Sequence, residues 1–312
     1  MLRKALAAAF AVIAAGGCGN AAGPGQGGAY PLTPVGNVDL GAAVTDLDFI
    51  GDDVLAASGS RVCFVDGDLA YLLAEVETGS NGLDEVAATP DGGYALAAAD
   101  SCVYRVSNQT YLLQDSLEVD GEVAELVMHD YAGEVWVLLE DGDILTVDVG
   151  EMTVSSSASP GAFDTECALY AADLRSLYRG GDDGVQRLSV PGLSPEYEAD
   201  LPMEVIDLSL DHVNGYLLAA MENRLRSLSS LGLATQMDYT HGNTVVDVIP
   251  GMGVMLAGAS QGIWVVDVAT GEDLQFLQQY SRPRLLRVNG DGSRCAVVYD
   301  SSPSAVEVYG TD

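Results

Sequence analysis

Apolar residues occur along most of the chain as short runs bracketed by Gly, Asp, Asn or Pro. The pattern is clearest between Val245 and Gln279. There Val245-Val246-Asp247-Val248-Ile249 meets a turn at Pro250-Gly251-Met252-Gly253 and returns through Val254-Met255-Leu256-Ala257-Gly258. Gly262-Ile263-Trp264-Val265-Val266-Asp267 follows, and after Ala269-Thr270-Gly271 comes Asp273-Leu274-Gln275-Phe276-Leu277. Each run is strand-sized and ends at turn residues. The unit therefore predicts four short antiparallel strands in one sheet of roughly forty residues.

The unit repeats. Its opening apolar residue recurs at Val44, Leu83, Val123, Phe163, Val205, Val245 and Leu285, in steps of 39 to 42 residues. The residue closing the third strand recurs at Asp66, Ser107, Asp148, Ser189, Ser229, Asp267 and Tyr309, in steps of 38 to 42. Thr89-Pro90-Asp91-Gly92-Gly93 and Asn289-Gly290-Asp291-Gly292 supply the Asp-Gly turns that a tight hairpin needs. Two markers thus count seven units, which predicts an all-β, seven-bladed β-propeller of four-stranded antiparallel blades. The last unit lacks a fourth strand, and Val35-Gly36-Asn37-Val38-Asp39-Leu40 stands where one should, so an N-terminal strand is expected to close the ring.

The stretches TPDGGYALAAAD and IWVVDVATGED resemble YVTN-type and WD-repeat-like β-propeller repeats, over about residues 35–312. The resemblance implies the fold, and a range of roles from binding platform and assembly scaffold to the occasional enzyme. Two departures stand out. The Trp-Asp dipeptide is absent, and blade four, from Phe163 to Ala199, reads as having an irregular second strand that carries Arg175 and Arg179.

The N-terminus adds a second layer. Met1-Leu2-Arg3-Lys4, the small apolar run Ala5 to Ala15, and Ala15-Gly16-Gly17-Cys18 read as a secretory signal (residues 1–17) ending in a lipobox, with lipid attached at Cys18. The apolar run is too short to span a bilayer. Gly19-Asn20 lacks the Asp that retains lipoproteins in an inner membrane, which points to an outer-membrane address where the organism has one. Residues 18–34, rich in Gly, Pro and Ala, read as a flexible tether, and 35–312 as one domain with its cores between blades.

Charge narrows the partners. The chain has 46 acidic and 13 basic residues, a formal charge of −33, and cleavage before Cys18 would remove Arg3 and Lys4 and leave arginine as the sole base. Such a surface repels nucleic acid and favours cations or basic partners. Besides Cys18 there are Cys63, Cys102, Cys167 and Cys295; only Cys63 and Cys102 fall on neighbouring blades, at non-equivalent positions. Buried thiols are the ordinary reading, with a Cys63–Cys102 bridge as the alternative.

Candidate chemistry is positional. Two residues after each opening residue stand Asp46, Glu85, Glu125, Thr165, Asp207, Asp247 and Arg287, five of them acids. On an innermost strand these form an acidic ring near the mouth of the channel, able to attract a divalent cation such as calcium. The structural alternative is that each carboxylate accepts hydrogen bonds from nearby backbone N–H groups, and Arg287 then neutralises a neighbour. Asp66-Gly67-Asp68, Asp141-Gly142-Asp143 and Asp182-Asp183-Gly184 lack the alternation of a calcium loop and read as hairpins. His129, His212 and His241 fall on separate turns, unsuited to one zinc ion, and no nucleophile elbow is present. Ser155-Ser156-Ser157-Ala158-Ser159 reads as a loop between blades three and four. Tyr170, Arg175, Tyr178 and Arg179, placed in outer loops of blade four, form a candidate interface of the aromatic and Arg type.

These readings lead to a monomeric, lipid-anchored envelope protein that acts as a protein-binding or assembly platform, without catalysis or cofactor. Two alternatives belong to other classes: a hydrolase of the propeller lactonase type, which lacks a converging His, Asn and acid set here, and a channel binder of a cation or cationic small molecule.

Overall fold

A computed structural model describes residues 32–129, 133–239 and 245–311. The expected signal sequence (residues 1–17), Cys18 and His241 lie outside the described residues. Blade one comprises β2 (Val44–Ile50), β3 (Asp53–Ser58), β4 (Arg61–Val65) and β5 (Leu72–Glu77). Blade two runs from β6 (Glu85–Ala88) to β9 (Leu112–Glu118), blade three from β10 (Val123–Met128) to β13 (Thr153–Ala158), and blade four from β14 (Cys167–Ala171) through β15 (Ser176–Gly181) to β17 (Ser194–Ala199). Blade five runs from β18 (Val205–Asp211) to β21 (Thr235–Tyr239) and blade six from β22 (Val246–Ile249) to β25 (Asp273–Gln278). Each is an antiparallel sheet ordered as in the sequence. No helix occurs among the described residues.

Blade seven closes the ring as expected. Its strands β26 (Pro283–Val288), β27 (Arg294–Tyr299) and β28 (Ser302–Gly310) are completed by β1 (Thr33–Asp39), which pairs antiparallel with β28 from Thr33↔Gly310 to Asp39↔Ala305. The strand takes in Thr33 and Pro34, assigned to the tether from sequence, and Leu32 before it is buried against Val245 and Tyr309. Pro34 is tolerated because it sits on the outermost strand beside a bulge, where its missing N–H costs no ladder bond. Three polar contacts among those joining blade seven to blade one are Arg294 Nη2 to Asp68 Oδ1 at 2.6 Å, Arg294 Nε to Gly67 O at 3.2 Å and Asn289 Nδ2 to Asp52 Oδ1 at 3.2 Å.

The cores lie between blades. Ile50, Leu55 and Phe64 of blade one pack on Leu83, Val86 and Ala97 of blade two, and similar clusters follow around the ring. Second strands are crowded with small residues such as Ala56, Ala57, Ala97, Ala98, Ala219 and Ala220, all buried, because neighbouring blades converge there. Gly180 shows the crowding: a Cβ would lie 2.7 Å from Val205 Cγ1 and 3.0 Å from Cys167 Sγ. Outer strands face water on both sides, so the serine run expected as a loop is instead β13, with Ser155 Oγ donating to Thr146 O at 3.1 Å.

Strand alternation gives the disc two distinct faces. One, the turn face, carries the first-to-second and third-to-fourth strand turns, as where Gly67 N donates to Asp53 Oδ1 at 3.3 Å. The other, the connector face, carries second-to-third turns and the links between blades, as where Thr78 N donates to Ser60 O at 3.0 Å. Cys63, Cys102, Cys167 and Cys295 are all free thiols.

Candidate functional site: the central channel

An innermost strand pairs with only one neighbour, so its other edge presents backbone groups that need partners. In a strand, residues two apart share a face, and the innermost strands of this chain use that periodicity to bridge blades. Asp46 Oδ2 accepts from Val86 N of the next blade at 3.0 Å, and Asp48 Oδ2 from Ala88 N at 2.7 Å. Blades five and six repeat the device: Asp207 Oδ2 accepts from Val246 N at 2.9 Å and Ser209 Oγ from Val248 N at 3.1 Å. Asp247 Oδ2 accepts from Val288 N of blade seven at 2.8 Å. Asp46, Asp207 and Asp247 are therefore inter-blade stitches, the structural alternative the sequence left open.

Blade four corrects the register. Thr165 precedes β14 and is buried, with only a local bond to Phe163 O at 3.4 Å. Cys167 lines the channel in its place and its thiol donates to Val205 O of blade five at 3.5 Å, a sulfur version of the same stitch. The step from Glu125 to Cys167 is two residues longer than the usual forty, which carries the opening marker past Phe163.

Five carboxyls meet one guanidinium here. A cavity of about 230 Å3 is lined by Asp46, Asp48, Glu125, Asp207, Asp247 and Arg287, with Met128 and Leu169 among the apolar wall residues. Arg287 Nη1 crosses the channel from blade seven to blade five, donating to Asp207 Oδ1 at 3.2 Å and to Leu286 O at 3.0 Å. Arg287 thus serves the whole ring rather than one neighbour.

Burial, not pairing, dominates the electrostatics. Loss of water pushes Asp48 and Asp207 up to about 6, against the opposing pull of Arg287 and of backbone N–H groups. Burial likewise raises Asp46 and Asp247. Glu125 reaches about 8, and Glu85 is held well above the carboxylate range by burial and the neighbouring Glu125 charge. Glu85 and Glu125 are hydrogen-bonded to each other, which requires a proton shared between the pair. Arg287 is raised by its acidic neighbours, Asp207 first. Among the described residues, no three His, Cys, Asp or Glu side chains are grouped to hold a metal ion.

The blade-four set is dispersed. Tyr178 and Arg179 are fully buried in β15 and out of reach of a partner. Tyr178 Oη donates to Ser230 O at 2.6 Å. Arg179 donates from Nη1 to Gly142 O at 3.0 Å, from Nη2 to Gly161 O at 3.1 Å and from Nε to Gln186 Oε1 at 2.9 Å, with its guanidinium 4.6 Å from the Phe163 ring centroid. It therefore clamps blade three to blade four, and the second strand that read as irregular is regular around it. Tyr170 is half-buried between His129 and Trp136, with ring centroids 5.1 and 4.9 Å away, and Arg175 alone is exposed in a turn. His212 Nδ1 lies 3.2 Å from Asp173 Oδ2.

Sequence reasoning missed Asp48, Cys167 and Ser209. The first and last stand two residues beyond Asp46 and Asp207, so the strand period itself was the available signal. No protein-family model matches the chain, and no curated protein matches it.

Proposed function

We propose that this propeller is a non-catalytic binding platform, tethered to the cell envelope through lipid on Cys18, and that its turn face engages a protein partner. One observation carries the reading. Of the large apolar side chains exposed among the described residues, all but Tyr197 and Tyr280 sit in turn-face turns or in the first residues of the outer strands leaving them. They are densest on blades one and two, at Leu69, Tyr71, Leu72, Leu112 and Leu113, with Leu69 70% exposed. Phe64 and Tyr111 hold that corner together, their ring centroids 5.0 Å apart. An exposed apolar cluster on one face of an acidic protein marks an interaction surface, and the surrounding charge favours a partner whose contact surface is apolar with a basic rim.

The chain enters β1 from the same face, because Thr33 pairs with Gly310 at the end of β28. Residues 18–31 reach at most about 50 Å when extended, enough to hold a partner between the disc and its anchor. The channel aspartates support the platform reading over a cation-binding one, since Asp46, Asp48, Asp207 and Asp247 each accept from a backbone N–H of the next blade.

The test is crosslinked affinity capture from the protein's own membranes, with an unrelated lipoprotein as control. Wild type is expected to recover one near-stoichiometric partner, Leu69→Asp with Leu112→Asp to lose it, and Tyr197→Ser to keep it. Equal recovery by all three, or by the control, overturns the assignment.

A further inference from the structure

The connector-face mouth of the channel differs from everything around it. In a chain of formal charge −33, three of the twelve arginines, Arg282, Arg284 and Arg287, fall within six residues. Together they line a cavity of about 300 Å3, whose other walls are Ile206, Val245 and Leu285 with the acids Asp207 and Glu222. Its charged lining is three guanidiniums to two carboxyls, opposite in balance to the channel below.

The three arginines are not equivalent. Arg282 Nε is satisfied by Asp300 Oδ2 at 2.9 Å, and Arg287 by Asp207. Nε and Nη2 of Arg284 are buried with no hydrogen-bond partner among the described residues. A buried donor left unpaired is destabilising, the more so in a charged group. Those two nitrogens form the guanidinium edge whose parallel N–H groups match the two oxygens of a carboxylate. Turning that edge into the cavity would exchange two unpaired donors for a bidentate pair.

We propose that this mouth is a binding site for a small organic monocarboxylate with a short alkyl body, its carboxylate on Arg284 and its chain against Ile206, Val245 and Leu285. The volume stands at the low end for ligand pockets, which fits a small ligand. The surrounding negative charge disfavours a dianion such as phosphate, and the apolar walls favour an alkyl chain over a bare anion. The same chemistry is offered by a free short-chain acid and by the C-terminal carboxylate of a peptide ending in an aliphatic residue.

Calorimetric titration of the full chain with hexanoate, N-acetylvaline, N-acetylvaline amide, inorganic phosphate and hexylammonium tests the site. Hexanoate is expected to bind the wild type and raise its Tm, with phosphate and hexylammonium at least tenfold weaker. Arg284→Gln is expected to weaken hexanoate at least tenfold and Arg284→Lys to fall between, while Arg226→Gln, on the outer part of blade five, leaves it unchanged. N-acetylvaline binding more tightly than hexanoate, with its amide silent, assigns the peptide source; the reverse order assigns the free acid. Because Nε and Nη2 of Arg284 have no partner among the described residues to lose, Arg284→Gln should melt no lower than wild type. Absence of hexanoate binding to the wild type, tighter binding of phosphate, or equal affinity in Arg284→Gln overturns the proposal. None of these outcomes bears on the turn-face partner.

Discussion

Asp207→Asn separates burial from pairing at the channel. The carboxylate serves Val246 N at 2.9 Å, Leu208 N at 3.1 Å and Arg287 Nη1 at 3.2 Å. Asparagine offers one oxygen where two were used, so one donor loses its acceptor, at about 1–3 kcal/mol. Against this stands relief of desolvation. A carboxyl at about 6 in the fold, against an ordinary value of 3.8, burdens the folded state by about 3 kcal/mol at pH 8 and about 1.5 kcal/mol at pH 5. The sign follows from proton binding: the folded carboxyl holds its proton more tightly, so its burden grows as pH rises from the unfolded to the folded value. Asparagine carries no such burden. With the lost bond taken at about 2 kcal/mol, the variant should be about 0.5 kcal/mol less stable than wild type at pH 5 and about 1 kcal/mol more stable at pH 8. The difference in Tm between the two proteins should then shift by roughly 3 °C in the variant's favour across that range. Calorimetric melting of both proteins at the two pH values reads it directly. A variant that loses more at pH 8 than at pH 5 would refute the reasoning, since that is the signature of a carboxylate held low by its ion pair with Arg287.

Other consequences follow from the same geometry. The whole domain should lose stability as pH rises from about 4 to about 8, because Asp48, Asp207 and Glu125 all bind protons more tightly in the fold; a Tm that climbs steadily from pH 5 to pH 8.5 would contradict this. Arg179→Met should cost about 2–4 kcal/mol by stripping two carbonyls and Gln186 of their donor, and Arg179→Lys should rescue little of it, as urea unfolding will show. In a Cys18→Ser chain, a thiol reagent should label half-buried Cys102 under native conditions and reach Cys63, Cys167 and Cys295 only on unfolding; rapid labelling of all four would mean that the blades open readily.

Much of this architecture was legible because its cause is periodic. A blade is about forty residues whatever its chemistry, and the opening and closing markers fall at or within a few residues of the ends of first and third strands in all seven blades. The channel acids were legible for the same reason, and Asp46, Asp207 and Asp247 came out at equivalent positions. What failed was local. Phe163 is buried like a true opening residue, but it serves as a platform for the Arg179 guanidinium, so the marker stopped short of Cys167. Arg179 and Tyr178 read as surface residues because their acceptors, carbonyls at Gly142, Gly161 and Ser230, come from other blades and leave no mark near them in sequence. The serine run misled because an outermost strand wetted on both sides needs no apolar residue at all.

The closing strand also determines how the molecule responds to force. Any load applied to the chain ahead of Thr33 enters the disc through β1, which is the piece that makes the ring continuous. A pull along the strand axis strains the Thr33–Asp39 pairing with β28 all at once, whereas a sideways pull at Thr33 parts it rung by rung from Gly310 onward. Such a load would therefore act first on the seam, converting a closed disc into an open one with β28 bare, before any other blade bears strain.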